Sequence, residues 1–438
     1  MRVLLIGSGA REHALLYKLE KSPLNPEIIV CPGNPAIARQ TKVWGVNYLN
    51  SFQKLIEKCL FEKIDLVICG PEQPLVDGLG DAFREAGILF FGPGKEGAQL
   101  EGSKYFAKKL MRDAGIPSAD FVIVQENESI LDVALKYFQK AGSVVLKADG
   151  LASGKGVFVC HDEASIKEAV LRLNSLQLKT AAKQVLIEEC LIGREVSHFS
   201  LICNHNSESL GFVVDYKRLR DGNLGPNTGG MGAYTPVAWL PVDAEEQIQK
   251  KILRPLLQAL NYRQINYQGF LYIGLMWTVS GPKVIEYNVR LGDPEAQVLA
   301  MSDEGDWLEW ILEKGSKPLR YPNNRKDTDK MKTVAVVMAN AGYPFDQANQ
   351  FPELDLGNIG QVQDGRIVFA ASVVSNKDAS SSKLNAGSGR VLSIVAKKPS
   401  FLQARSSIYD YINMLKPNWP EVIFRTDIAM DAEDTLIL

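Results

Sequence analysis

No charge of either sign dominates this chain: 49 lysines and arginines face 51 aspartates and glutamates in 438 residues. That balance excludes a global field for nucleic acid or an anionic membrane, so any bound anion must meet a local cluster. No apolar run approaches the roughly 20 residues of a membrane span, and the run Val3 to Ile6 is too short for a secretory leader. The six cysteines (31, 59, 69, 160, 190 and 203) form no Cys-x-x-Cys, sit mostly in apolar runs and stop before the second half. They read as reduced, buried thiols, which predicts a cytoplasmic protein. His161, His198 and His205 show no metal-ligand spacing, and His13 is expected to pack on its own helix. Without a Gly-x-Ser-x-Gly or a Cys/His arrangement, covalent catalysis by a side chain is not expected.

What is present is alternation. Strand-like runs at 3–6, 28–31, 66–69 and 88–91 interleave with helical stretches at 10–21 and 51–62, the rhythm of a doubly wound parallel sheet. Its first turn, Gly7-Ser8-Gly9-Ala10-Arg11-Glu12, has Glu12 where a dinucleotide fingerprint needs a third glycine, which weakens a nicotinamide reading. Glycine and polar residues also close the next strands, at Cys31 to Pro35 and Cys69 to Glu72, so a small-molecule crevice is expected there. A helix over 103–116 opens at Ser103 as N-cap; strands follow at 184–189, 196–203, 210–215, 270–279 and 283–288. The polar tract from Ser316 to Lys330 precedes a fresh strand at 333–338, placing a boundary near 328. Ser375 to Ser388 is expected to be an exposed loop.

Val144 to Val159 holds two β-type runs joined by Gly150-Leu151-Ala152-Ser153-Gly154-Lys155-Gly156, with Lys147 at a strand end. Such a hairpin either is a plain turn or closes over a polyphosphate, with glycine N–H groups and lysines meeting the oxygens. On the strand Lys283 to Arg290, alternation puts Glu286, Asn288 and Arg290 on one face. Two hard oxygen ligands suit Mg²⁺ shared with phosphates; the alternative is a solvated face whose charges merely pair. Gly225 to Tyr234 is too glycine-dense for regular structure and either connects strands or wraps a ligand. Asp293 and Glu295 add carboxylates beyond the Glu286 strand. At the strand ending in Glu188-Glu189, edge backbone groups either read a purine or simply terminate the strand. Lys104 in the first turn of a helix opposes the dipole, and a phosphate between them would remove the conflict.

Taken in order, Gly9 to Ala14, Pro32-Gly33-Asn34, Gly70-Pro71-Glu72, Leu100 to Lys104, Lys147 to Gly156, Gly225 to Tyr234 and Arg290 to Glu295 resemble the phosphoribosylamine–glycine ligases, a family of ATP-grasp ligases. The resemblance covers nearly the whole chain. It implies an α/β and α+β multidomain architecture: an N-terminal doubly wound domain (1–102), an ATP-grasp domain (103–328, lid about 120–190) and a small mixed C-terminal domain (329–438). By the same resemblance Lys104, Lys147, Gly150, Ser153, Gly154, Lys155 and Gly156 bind ATP phosphates, Glu188 and Leu191 the adenine, and Glu195 the ribose. Glu286 and Asn288 hold Mg²⁺ or Mn²⁺. Gly9, Asn34, Glu72 and Arg290 hold phosphoribosylamine; Asp215, Lys217, Thr228, Gly229, Gly230 and Asp293 border the acyl phosphate and glycine. Arg290, Lys147 and Asp215 are implied as catalytic. The partners implied are small molecules (glycine, 5-phosphoribosylamine and ATP), with no nucleic acid or membrane, in a monomer or weak dimer.

The implied reaction phosphorylates the glycine carboxylate and then transfers the glycyl group to the amine. Two departures stand out: Asp215-Tyr216-Lys217-Arg218 where relatives often read Asp-His-Lys-Arg, and Phe369-Ala370-Ala371-Ser372 where they often read Phe-His-Ala-Gly-Thr. Both bear on substrate contacts rather than on the phosphate and metal groups. The alternatives are another ATP-grasp carboxylate–amine ligase or carboxylase, or a nucleotide-binding paralogue without turnover.

Overall fold

Strands Lys42–Val43, Glu27–Pro32, Arg2–Gly7, Leu66–Cys69 and Leu89–Phe91 lie side by side in that order, all parallel. The computed structural model describes residues 1–125, 128–151, 156–177, 184–319, 331–345, 348, 350–357, 359–376 and 383–433. Val3 to Ile6, Ile29 to Cys31 and Leu66 to Ile68 are apolar without alternation because both faces of this sheet are covered, as parallel sheets require. Helices Ala10–Glu20 and Phe52–Phe61 fall where the periodicity placed them, the second capped by Ser51. At the carboxyl edge Glu12 acts as a strut. Its Oε2 accepts the Gly9 N–H at 2.7 Å and its Oε1 accepts from Arg11 Nε at 2.9 Å. A Cβ on Gly70 would stand 2.0 Å from Glu12 Oε1, so the absent third glycine and the present Gly70 are one packing solution.

A second sheet forms a separate layer. Its antiparallel strands run Phe121–Val124, Val185–Glu189, Val144–Ala148, Val157–Cys160, and Ile130–Ala141 and Glu163–Gln177 pack on it around a small core including Ala134, Leu146, Ile166 and Ile187. Within it Val185–Glu189 is an inner strand, not an edge. Free backbone groups therefore begin only at Cys190 and Leu191.

The largest sheet has eight antiparallel strands, ordered Gly281–Asn288, Gln268–Thr278, Arg194–Cys203, Asn206–Asp215, Gly232–Thr235, Lys332–Ala339, Arg390–Lys398, Arg366–Ala370. The helix Glu295–Ser302, buried along Glu295 to Met301, packs between this sheet and the Ala10–Glu20 helix. Three expectations change here. The stretch 225–234 is regular at both ends: Leu224–Asn227 pairs with Arg218–Arg220, and Gly232–Thr235 joins the large sheet, because backbone pairing outweighs glycine's entropy there. Within 375–388, Leu384–Ala386 is a strand between Glu353–Leu354 and Val373–Ser375, with Leu384 and Ala386 buried. His13 does not merely pack on its helix but bonds to Ala370 and Gln40. Among the described residues no helix is long and apolar enough to cross a membrane.

Candidate active site

A cavity of about 890 Å³ opens between the carboxyl edge of the parallel sheet, the four-stranded lid and the Gly281–Asn288 strand. The lid hairpin delivers Lys147 to its wall. Lys147 Nζ lies 2.9 Å from Glu188 Oε2 and 3.4 Å from the Ile285 carbonyl, and Lys108 Nζ approaches the same Glu188 oxygen at 3.1 Å. Lys104 donates to the Gly150 carbonyl at 2.8 Å. The conflict expected at the start of its helix is resolved by protein. Asp149 accepts from Tyr105 N and Ser103 Oγ, each at 3.1 Å, so a carboxylate rather than a phosphate meets the helix N-terminus. Gly150 and Gly156 line the cavity, whereas Ser153, Gly154 and Lys155 lie outside the described residues.

Glu286 and Asn288 face the cavity from one strand, with Lys217 Nζ 4.0 Å from Glu286 Oε1. Burial alone would raise the Glu286 pKa, but Lys217, Lys147 and Lys104 outweigh it and hold it below the usual carboxylate range. Burial likewise opposes the Lys217 charge, yet Glu195, to which it is ion-paired, together with Glu286 and Asp215, pushes its pKa well up. Asp215 is the opposite case. Desolvation, then the nearby Glu295 charge, lifts it well above the carboxylate range, and its Oδ1 is buried without a partner. Among the described residues no three His, Cys, Asp or Glu side chains form a metal cage. An ionised carboxylate beside an amide oxygen fits a divalent ion that takes its remaining ligands from phosphates and water.

At the other end Arg290 lies just past its strand. Its Nε is 3.2 Å from Glu72 Oε2 and its Nη2 is 2.9 Å from Glu101 Oε1. Glu101 in turn accepts the Val289 N–H at 2.8 Å. Asn34 stands apart from the cavity lining: its Nδ2 donates to the carbonyls of Ser8 at 2.8 Å and Ala370 at 3.1 Å, and its Oδ1 accepts from Ala36 and Ile37. Gly9 backs onto Asp293, whose Oδ2 would lie 3.9 Å from a Cβ there. Arg390, from the far end of the chain, donates through Nη1 to the carbonyls of Gly229 at 2.6 Å and Asp293 at 2.5 Å. It thus ties the glycine loop, with Thr228 at the cavity, to the loop carrying Asp293. Gly230 has φ +111°, and a Cβ would stand 2.5 Å from Pro294 Cδ and 2.8 Å from Asp215 Oδ1, so only glycine lets these loops meet. Tyr216 hydrogen-bonds Asp431 and accepts the Ala429 N–H at 3.0 Å.

Sequence reasoning missed Lys108, Glu101 and Arg390. Lys108 lay one helical turn from Lys104, a spacing that puts both on one face and was the available signal. Nothing in the sequence around Arg390 pointed inward, and Glu101, though within the Leu100 to Lys104 segment, gave no sign of its pairing with Arg290.

A four-stranded lid over a lysine-walled cavity, facing a strand that presents a carboxylate and an amide, defines an ATP-grasp enzyme. Three models describe this chain in succession: the N domain of phosphoribosylglycinamide synthetase over residues 1–101, its ATP-grasp (A) domain over 102–296 and its C domain over 333–431. The chain belongs to the phosphoribosylglycinamide synthetase family. It is 36% identical to the phosphoribosylamine–glycine ligase of Caldanaerobacter subterraneus over 431 residues, covering 98% of this chain and 99% of the relative. It is 37% identical to the same enzyme of Leifsonia xyli, covering 99% and 100%. The crystal structure of phosphoribosylamine–glycine ligase from Thermotoga maritima superposes with a TM-score of 0.77 at 30% identity, covering 98% of this chain and 100% of that one. The biotin carboxylase domain of Hydrogenobacter thermophilus 2-oxoglutarate carboxylase shares the fold at 17% identity and a TM-score of 0.70, covering 94% and 90%.

Proposed function

We propose that this chain joins glycine to 5-phosphoribosylamine at the expense of ATP, through glycyl phosphate, giving glycinamide ribonucleotide, ADP and phosphate. The observation that carries the reading is the convergence of Lys104, Lys147 and Lys217 with Glu286 and Asn288 on one cavity roofed by the hairpin. A carboxylate attacking a polyphosphate brings like charges together, and these cations lower that barrier by neutralising them. Lys104, Lys147 and the 150–156 loop hold the phosphates, Glu188 and Leu191 the adenine, and Glu195 the ribose. Glu286 and Asn288 would hold Mg²⁺ or Mn²⁺, which would supply positive charge against the phosphates.

Glu72, Gly9 and Arg290 shape the phosphoribosylamine end, with Asn34 fixing the turn beside it. Lys217, Thr228, Gly229, Gly230 and Asp293 enclose the glycine and acyl phosphate. Asp215, its pKa raised, is suited to take a proton from the attacking amine. That amine is already a competent nucleophile, and among the described residues lining the cavity there is no histidine. The protein is assigned as a monomer or weak dimer acting on small molecules. We assign the units 1–102, 103–328 (lid about 120–190) and 329–438, and place the protein in the cytoplasm, supported by six free cysteines of which five are buried.

An ADP-release assay with glycine, phosphoribosylamine or the divalent ion omitted in turn tests the function. Release is expected to require all three; ADP formed with bicarbonate in place of glycine would overturn it.

A further inference from the structure

Glu188 carries an imbalance that the reaction does not explain. Both neighbouring lysines bind its Oε2, Lys147 at 2.9 Å and Lys108 at 3.1 Å, while its Oε1 is buried with no partner. A buried carboxylate oxygen left bare costs free energy unless a ligand donates to it. The two lysines differ in freedom. Lys147 belongs to the cavity wall among the groups that meet phosphate. Lys108 is only 2% exposed, donates to the Ala119 carbonyl at 3.0 Å and has its Nζ 5.5 Å from the centre of the Phe121 ring. Lys108 is thus tied to Glu188 independently of Lys147.

We infer that Lys108 is a positioning residue for nucleotide selectivity, pinning Glu188 through one oxygen so that the other is offered to the cavity as a bare acceptor for a 6-amino purine. This rests on the reading that the nucleobase lies against Glu188 and Leu191. A charged carboxylate is acceptor-only, so it accepts from a 6-amino group and repels a 6-oxo group. Sites built to bond a donor reject analogues that lack it, because the buried partner is then left unpaired. Without Lys108, the carboxylate of the nucleotide-bound enzyme loses its fixed cation. It is then free to rotate its bare oxygen away from the cavity, and selection against a 6-oxo group weakens.

The test compares ATP with inosine triphosphate in steady-state kinetics on the full chain for the wild type, Lys108→Met, Lys108→Gln and Glu188→Gln. Lys108→Gln keeps donors for Ala119 and Glu188 and is expected to fold if the methionine variant does not. Lys108→Met is predicted to lose roughly 10- to 100-fold of the ATP preference in kcat/KM, the span of one hydrogen bond to a charged group, and Lys108→Gln, which keeps a donor but not the charge, a part of that loss. The loss is expected mainly in KM for ATP, with kcat falling less than about threefold. An unchanged ATP-to-inosine triphosphate ratio in either folded variant overturns the inference, as does failure of both to fold, which would make Lys108 a structural cation. If Glu188→Gln alone abolishes the preference, the nucleobase reading stands and the Lys108 role fails. If Glu188→Gln keeps the full preference, the nucleobase reading itself fails.

Discussion

His13 shows how a single residue couples parts of the molecule distant in sequence. Its Nδ1 accepts the Ala370 N–H at 3.0 Å, so the ring is neutral with its proton on Nε2, which faces the Gln40 side-chain amide, and the ring is fully enclosed. Burial lowers its pKa from 6.5 to about 4. Between those values the unfolded chain binds a proton that the folded chain does not. Stability is therefore complete above pH 6.5 and is lost as pH falls toward 4, by up to about 3 kcal/mol. Urea midpoints measured from pH 7 to pH 4 should fall more steeply for the wild type than for His13→Gln; equal slopes would show that His13 does not titrate on unfolding. The sequence placed this histidine on the right helix but not at its true task, because Ala370 and Gln40 reach it only through tertiary packing. The same holds for Lys108 and Arg390. That Lys104, Lys147 and Glu286 line one cavity could be anticipated from a cation at a helix start, a glycine hairpin and strand alternation.

Among the elements, the lid hairpin is set by its root. Asp149 follows the Val144–Ala148 strand and accepts from Ser103 Oγ and Tyr105 N at the start of the Lys104–Asp113 helix. It thereby fixes the strand that carries Lys147 against the helix that carries Lys104 and Lys108. Asp149→Ala should lower the urea-unfolding free energy by about 1 kcal/mol, the worth of a charged cap, and raise KM for ATP. An unchanged midpoint with unchanged KM would show that the root does not position the lid. The hairpin itself was readable, two β-branched runs around glycines. Its attachment was not, since a helix start that lacks an acidic residue of its own borrows one from a distant turn. Glycine density misled at 225–234 for a related reason: partner strands supplied pairing that local composition did not announce.

Across the whole molecule, the eight-stranded sheet runs without interruption from the Glu286 strand to the Arg366–Ala370 strand, joined where Gly232–Thr235 pairs with Lys332–Ala339. The polar tract ahead of residue 331 marked a connection, yet the sheet continues past it. The parallel sheet was legible from the spacing of its apolar runs. The order of the large sheet was not, because antiparallel partners chosen over long separations leave no periodic trace. Through this continuity Arg390 reaches the glycine loop and Asp293, so strands on both sides of that tract frame one reaction chamber. On the proposed mechanism a carboxylate is phosphorylated inside that chamber before the amine attacks. Glycine labelled with ¹⁸O in its carboxylate, turned over with ATP and phosphoribosylamine, tests it most directly by mass analysis of the released phosphate. One labelled oxygen in each phosphate is the predicted result; unlabelled phosphate would contradict the account.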